Sequence, residues 1–74
     1  MVKACIAIKA VPTKVDSILK ELNGLKEVKK AYNVYGRFDI VALIEAADNR
    51  AIAELSGKIN SMDGVRSTET FVEA

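Results

Sequence analysis

The sequence predicts an α+β fold: a four-stranded antiparallel sheet in the order βαββαβ, with two helices on one face. Three observations carry this. Two stretches, residues 13–22 and 49–62, space their apolar residues at helical intervals, and four others read as strands. The halves echo each other, because Leu22-Asn23-Gly24-Leu25-Lys26-Glu27-Val28 and Ile59-Asn60-Ser61-Met62-Asp63-Gly64-Val65 each run from an apolar helix end through a turn to a valine. A doubled strand-helix-strand unit is the ferredoxin-like arrangement, and right-handed crossovers put strands one and three at its centre.

Residues 2–11 are apolar except for Lys3 and Lys9 and predict a central strand. Val2, Ala4, Ile6, Ile8 and Ala10 fall on one face, and Lys3, Cys5, Ala7 and Lys9 on the other. Pro12-Thr13 ends that strand and opens a helix, where proline is tolerated. Val15, Ile18, Leu19 and Leu22 form its apolar stripe, and Asn23-Gly24 stops it. Residues 28–34 alternate, with Val28, Lys30, Tyr32 and Val34 against Lys29, Ala31 and Asn33, as an outer strand would. Gly36 then supplies the permissive backbone of a tight hairpin.

Residues 40–46 start with an uninterrupted apolar run, Ile40 to Ile44, next to that turn, and predict a central strand buried on both faces. Asp48 is a good N-cap for the second helix, whose stripe is Ile52, Leu55, Ile59 and Met62. Gly57 inside that helix suggests close packing, and Asp63-Gly64 ends it. Residues 65–72 form a last strand rich in hydroxyls, with Ser67, Thr68 and Thr70.

Seventy-four residues allow one domain, spanning 1–74. A domain of this size buries only ~60% of its unfolded surface, so it needs extra burial from a staple, a metal or a second copy. Cys5 is the single cysteine and there is no histidine, so neither an internal disulfide nor a metal cage is expected, and no cofactor. Oligomerisation remains. The sheet face away from the helices would carry Cys5 and Ala7 with either Val41 and Leu43 or Ile40, Ala42 and Ile44. An apolar face of that kind is an interface. The candidate set is Cys5, Ala7, Val41 and Leu43, packed sheet to sheet in a homodimer burying on the order of 1,500 Å².

The net charge of +1, with acids and bases mixed, leaves no footprint for nucleic acid or an anionic membrane. No run approaches the ~20 apolar residues of a membrane span, and the expected setting is soluble and cytoplasmic. Enzyme chemistry is disfavoured: the commonest general base is absent, and Cys5 has no histidine to activate it. A catalytic carboxylate pair such as Asp39 with Glu69 is conceivable if the fold brings them near. The central strands lack the aromatics of an RNA-recognition sheet, and no glycine-rich phosphate loop occurs. A free amino acid needs a carboxylate or carbonyls for its ammonium, and N–H donors, hydroxyls or a cation for its carboxylate. The hairpin 35–39 and the strand 67–70 offer such groups.

Gly36-Arg37-Phe38-Asp39-Ile40, followed by the apolar run, resembles the Gly-x-x-Asp signature of the ligand-sensing (RAM) domain of the Lrp/AsnC feast/famine transcription regulators. Met62-Asp63-Gly64-Val65 and Thr68-Glu69-Thr70-Phe71-Val72 resemble a second segment of that domain. The family's regulators also carry an N-terminal helix-turn-helix domain. Here residue 1 already leads into the first strand, so the chain resembles a stand-alone sensing module with no direct nucleic-acid contact. The resemblance implies dimers that assemble into rings of eight or ten chains. It also implies an amino-acid effector at dimer–dimer contacts bordered by the hairpin and the last strand. Carried across, Tyr35, Gly36, Arg37, Asp39, Thr68, Thr70 and Phe71 become the ligand-binding candidates. Asp39 would meet the ammonium, and the backbone near Gly36 with Thr68 or Thr70 would hold the carboxylate. Arg37 stands where many relatives have an acidic or small residue. The expected role is a non-enzymatic sensing and oligomerisation module, acting alone or mixed with full-length Lrp/AsnC regulators. The rivals are an ACT-like regulatory module of a metabolic enzyme, a small dimeric ferredoxin-like barrel enzyme, and an oligomerisation domain with no ligand.

Overall fold

A computed structural model describes residues 1–73. The elements are β1 (Val2–Ala10), a 3-10 turn (Pro12–Lys14), α1 (Val15–Asn23), β2 (Val28–Asn33), β3 (Ile40–Ala46), α2 (Asn49–Asn60) and β4 (Val65–Val72). The strands form one antiparallel sheet in the order β2-β3-β1-β4. The two most apolar strands are therefore central. Helix α1 lies mainly on β2 and α2 mainly on β4, both on the same face.

The core sits between sheet and helices. Ile6 and Ile8 of β1, Ile40 and Ile44 of β3, Ile18 and Leu22 of α1 and Ile59 of α2 are fully buried. Each contributes about 1.5–3 kcal/mol by leaving water. The second helix starts as its sequence predicts, with Asp48 Oδ1 accepting from the Ala51 N–H at 2.8 Å. That bond satisfies one of the amides left orphaned at a helix start.

Four features differ from the sequence pattern. In β2 the register shifts between Val28, which faces Ile44, and Lys30, which faces Leu43. Lys29 is the extra residue of a β-bulge, so Val28 turns to the core while Lys30 and Tyr32 turn away from it. Ala31, paired with Ala42, takes the core side instead. A strict period of two cannot foresee this, because one inserted residue inverts every face beyond it.

Second, strand β3 is buried on one face only within the single chain. Ile40, Ala42, Ile44 and Ala46 are buried, Val41 is half-buried and Leu43 is 40% exposed. Third, Gly57 has no close neighbour, since a Cβ there would meet nothing within 4 Å. Its absence of a side chain serves no packing. The glycine that does is Gly64, with φ of +91° and a virtual Cβ only 2.4 Å from Lys14 Cβ. It lets the α2–β4 turn press against the start of α1, and its carbonyl accepts from Val11 N–H at 2.8 Å. Fourth, α2 stops before Asp63-Gly64, at Asn60, with Ser61 as its C-cap.

Candidate functional site

Two surfaces stand out, the open face of the sheet and the β2–β3 hairpin at one of its ends. On the open face the register sets the side chains in rows. Lys30, Leu43, Cys5 and Phe71 form one row across β2, β3, β1 and β4. Tyr32, Val41, Ala7 and Glu69 form the next. The centre of the face is apolar, and Leu43, Tyr32 and Phe71 keep 40%, 43% and 53% of their surface in water. Lys3, Glu45 and Lys9 lie at the ends of the central strands on that face. The two rows hold Cys5, Ala7, Val41 and Leu43 together on one continuous surface. Lys30 stands 5.8 Å over the Tyr32 ring, which holds both at the β2 edge.

The hairpin is wider than a two-residue turn. Val34 N–H donates to the Asp39 carbonyl at 2.8 Å and closes a loop over residues 35–38. Asp39 N–H donates to the Ile8 carbonyl at 2.9 Å, so its backbone bridges both neighbouring strands. Gly36 has φ of +121°, which a side chain rarely adopts, with open space around it. Tyr35, Gly36 and Arg37 are exposed. Among the described residues, the N–H groups of Tyr35, Gly36, Arg37 and Phe38 donate to no protein acceptor.

Asp39 neither caps its own turn nor points freely into water. Its Oδ2 accepts from Ala10 N–H at 2.8 Å, across the sheet on β1. That amide points to the β3 side, as the Ile8 carbonyl two residues earlier does, and lies beyond the last β1–β3 pair, Ile8 with Ile40. The carboxylate therefore satisfies a donor left without a strand partner where the β1–β3 pairing ends. Oδ1 has no hydrogen bond within the described residues, and no unsatisfied side-chain oxygen is buried there, so Oδ1 faces outward. Lys9 Nζ crosses to the Arg37 carbonyl at 3.3 Å and braces the same loop.

The last-strand candidates divide between the two faces. Phe71 lies on the open face opposite Cys5. Thr68 and Thr70 lie on the helix side, opposite Ile8 and Ile6. Thr70 Oγ1 hydrogen-bonds Ser56 Oγ of α2, and Thr68 Oγ1 donates to Asn60 Oδ1 at 3.4 Å. Within one chain the structure thus joins Tyr35, Gly36, Arg37 and Asp39 but sets Thr68 and Thr70 against α2. Sequence reasoning missed Lys9 as a hairpin residue, since nothing in a strand pattern says which loop a lysine reaches. Asp39 and Glu69 are separated by β1, and the Asp39 carboxylate is committed to Ala10.

Two surface grooves lie elsewhere. One of about 320 Å³ runs beside Cys5, Phe71 and Glu73, and another of about 420 Å³ beside Lys26, Lys29 and Glu45. Neither reaches the hairpin. Among the described residues no cluster of three potential metal ligands occurs, and no helix is long and apolar enough to cross a membrane.

The family model described as the Lrp/AsnC ligand binding domain matches residues 3–73. Among solved structures, the fold is similar to TTHA0845 from Thermus thermophilus, at 28% identity and a TM-score of 0.95, covering 100% of this chain and 94% of that one. It is similar to FFRP-DM1 at 28% identity and a TM-score of 0.94, covering all of both chains. It is also similar to AsnC from E. coli, at 30% identity and a TM-score of 0.87 over 97% of this chain but 50% of that one. No curated protein sequence matches the chain.

Proposed function

The chain belongs to the Lrp/AsnC ligand binding domain family, and from that premise we propose that it is a non-enzymatic sensing and assembly module whose effector is a small amino acid taken at the 35–39 hairpin. One observation carries the reading: a loop of unpartnered backbone N–H groups beside a carboxylate that is anchored on one oxygen and free on the other. The amides of residues 35–38 suit the ligand carboxylate, as consecutive free amides suit anions generally. Asp39 Oδ1 suits its ammonium, a charge-assisted pair. The hairpin is exposed and the two grooves described above do not reach it, so a neighbouring chain would complete the pocket. Thr68, Thr70 and Phe71 would join the site only across such a contact.

Assembly rests on the open face. Cys5, Ala7, Val41 and Leu43, flanked by Tyr32 and Phe71, share one apolar surface that would pair with its own copy in a two-fold dimer. Dimers joined through their hairpins would make the ring of eight or ten chains. The same face would accept the matching domain of a full-length Lrp/AsnC regulator, and copurification of the two co-expressed chains tests that mixing. No step of this role needs a cofactor or nucleic acid.

The test of the sensing role is a thermal-shift screen of the purified chain against the common amino acids. Ligand at 100 times its dissociation constant adds about 2.7 kcal/mol, or several degrees in a domain this small. Asp39→Asn keeps an acceptor for Ala10 but places an amide group where the ammonium would sit. It is expected to abolish the shift while leaving the unliganded melting temperature nearly unchanged. A screen with no hit at millimolar concentrations refutes the sensing role.

A further inference from the structure

We propose that the effector is a dicarboxylic amino acid, whose second carboxylate is received by Arg37 and Lys9; this rests on the hairpin reading above. The charges of the hairpin do not suit a neutral amino acid. Asp39 supplies one carboxylate, and Lys9 and Arg37 supply two cationic side chains. A zwitterion with an uncharged side chain would use Asp39 for its ammonium and the loop amides for its carboxylate. Both cations would then be left beside a ligand that matches neither. A ligand with one more carboxylate balances the set.

The two cations belong to the loop by geometry. Lys9 Nζ is held 3.3 Å from the Arg37 carbonyl, so its ammonium is positioned at the hairpin. A lysine ammonium has three N–H donors, and this bond uses one. Among the described residues the ion pairs are Lys14–Asp63 and Arg50–Glu54, so neither Lys9 nor Arg37 is neutralised by a protein carboxylate. On the open face Lys9 stands opposite Ser67, while the acid of that strand, Glu69, stands a row away opposite Ala7. Ser67 adds a hydroxyl beside Lys9. Arg37 offers the planar fork that binds a carboxylate through two parallel bonds. A site built around such a group discriminates strongly against an analogue that lacks it, because its own charges are then left unpaired.

The experiment is isothermal titration calorimetry of the whole chain with glutamate, glutamine, aspartate and asparagine, which are near-isosteric acid–amide pairs. Wild type is compared with Arg37→Gln, Lys9→Gln, Asp39→Asn and, as a charge-matched control away from the hairpin, Arg50→Gln. The expected result is that one acid binds at least tenfold more tightly than its amide. Arg37→Gln and Lys9→Gln should each shrink that preference, Asp39→Asn should remove binding of both, and Arg50→Gln should leave the ratio unchanged. If an amide binds as tightly as its acid, or the preference survives Arg37→Gln, the dicarboxylate assignment is overturned while the hairpin site stands. If Arg50→Gln shrinks the preference as much as Arg37→Gln, the effect is one of net charge and the assignment is overturned. If none of these ligands binds but a neutral or basic amino acid does, and Asp39→Asn abolishes it, only the dicarboxylate class fails. If nothing binds, or binding ignores Asp39→Asn, both readings fail together.

Discussion

Leu43→Asp separates the fold of the single chain from its assembly, because Leu43 points away from the helices. A fully buried leucine is worth about 1.5–3 kcal/mol. Leu43 keeps 40% of its surface exposed, so covering the remainder adds about 0.6–1.2 kcal/mol per chain. In a two-fold interface the substitution counts twice, a loss of about 1.2–2.4 kcal/mol per dimer. Two carboxylates beneath a partner sheet add a desolvation cost of several kcal/mol more. At about 1.4 kcal/mol per factor of ten, the dissociation constant rises at least a thousandfold. The isolated chain is affected much less. The new carboxylate is half in water and lies directly opposite Lys30, which offsets part of any local cost. Leu43→Ala removes only the apolar contribution and should weaken the dimer roughly tenfold to fiftyfold. Sedimentation equilibrium over a concentration series, with circular dichroism at each, reads both quantities. A Leu43→Asp chain that stays folded and sediments as the wild-type oligomer would show that this face is not the interface.

Four further substitutions test the fold and the hairpin. Gly64→Ala forces a side chain into positive φ and into Lys14, and should cost at least about 1–3 kcal/mol in urea unfolding. Gly57→Ala meets open space on a regular helix and should stabilise by about 1 kcal/mol; an unchanged or lower midpoint contradicts that. Asp48→Ala removes the cap on Ala51 and should lower stability by about 1 kcal/mol by the same measurement. Asp39→Ala leaves the Ala10 amide without its partner and should cost about 1–3 kcal/mol, most of it recovered in Asp39→Asn. Equal losses in the two Asp39 variants would mean that the Ala10 bond carries little energy.

The architecture was legible because its signals are periodic. Helix stripes, the proline at the start of the first helix, the Asp48 cap and the apolar central strands each follow from residue type and spacing, and the observed elements agree with them. Apolar residues on both sides of residues 40–44 were legible too, but their meaning was not. The strand is covered on one side by its own helices and left open on the other. Sequence pattern records that both faces are apolar without recording which one the chain itself covers. Glycines were the least readable residues. Gly57 and Gly64 look alike in the sequence, yet only Gly64 has a conformation and a neighbour that require it.

What escaped pattern reading at the hairpin end traces to where the pairing of β1 with β3 stops. The β1–β3 pairing ends at Ile8 and Ile40, and the Asp39 side chain supplies the acceptor that the Ala10 amide beyond it needs. Asp39 is consequently held by one oxygen, which lets the other be aimed rather than free to rotate. Register acts at the β2 edge, through the bulge at Lys29. It turns Lys30 and Tyr32 onto the open face and gives that face an aromatic border it would otherwise lack. The open face is thus shaped by a single extra residue in an otherwise regular strand. The hairpin also shares its end of the sheet with the Gly64 turn, since Ala10 bonds Asp39 and the next residue, Val11, bonds Gly64. Loosening either contact should disturb the other. Gly64→Ala is therefore expected to increase amide hydrogen exchange at Ala10 and in residues 35–39, far along the chain from the substitution. Exchange confined to the α2–β4 turn would mean that the two loops are independent.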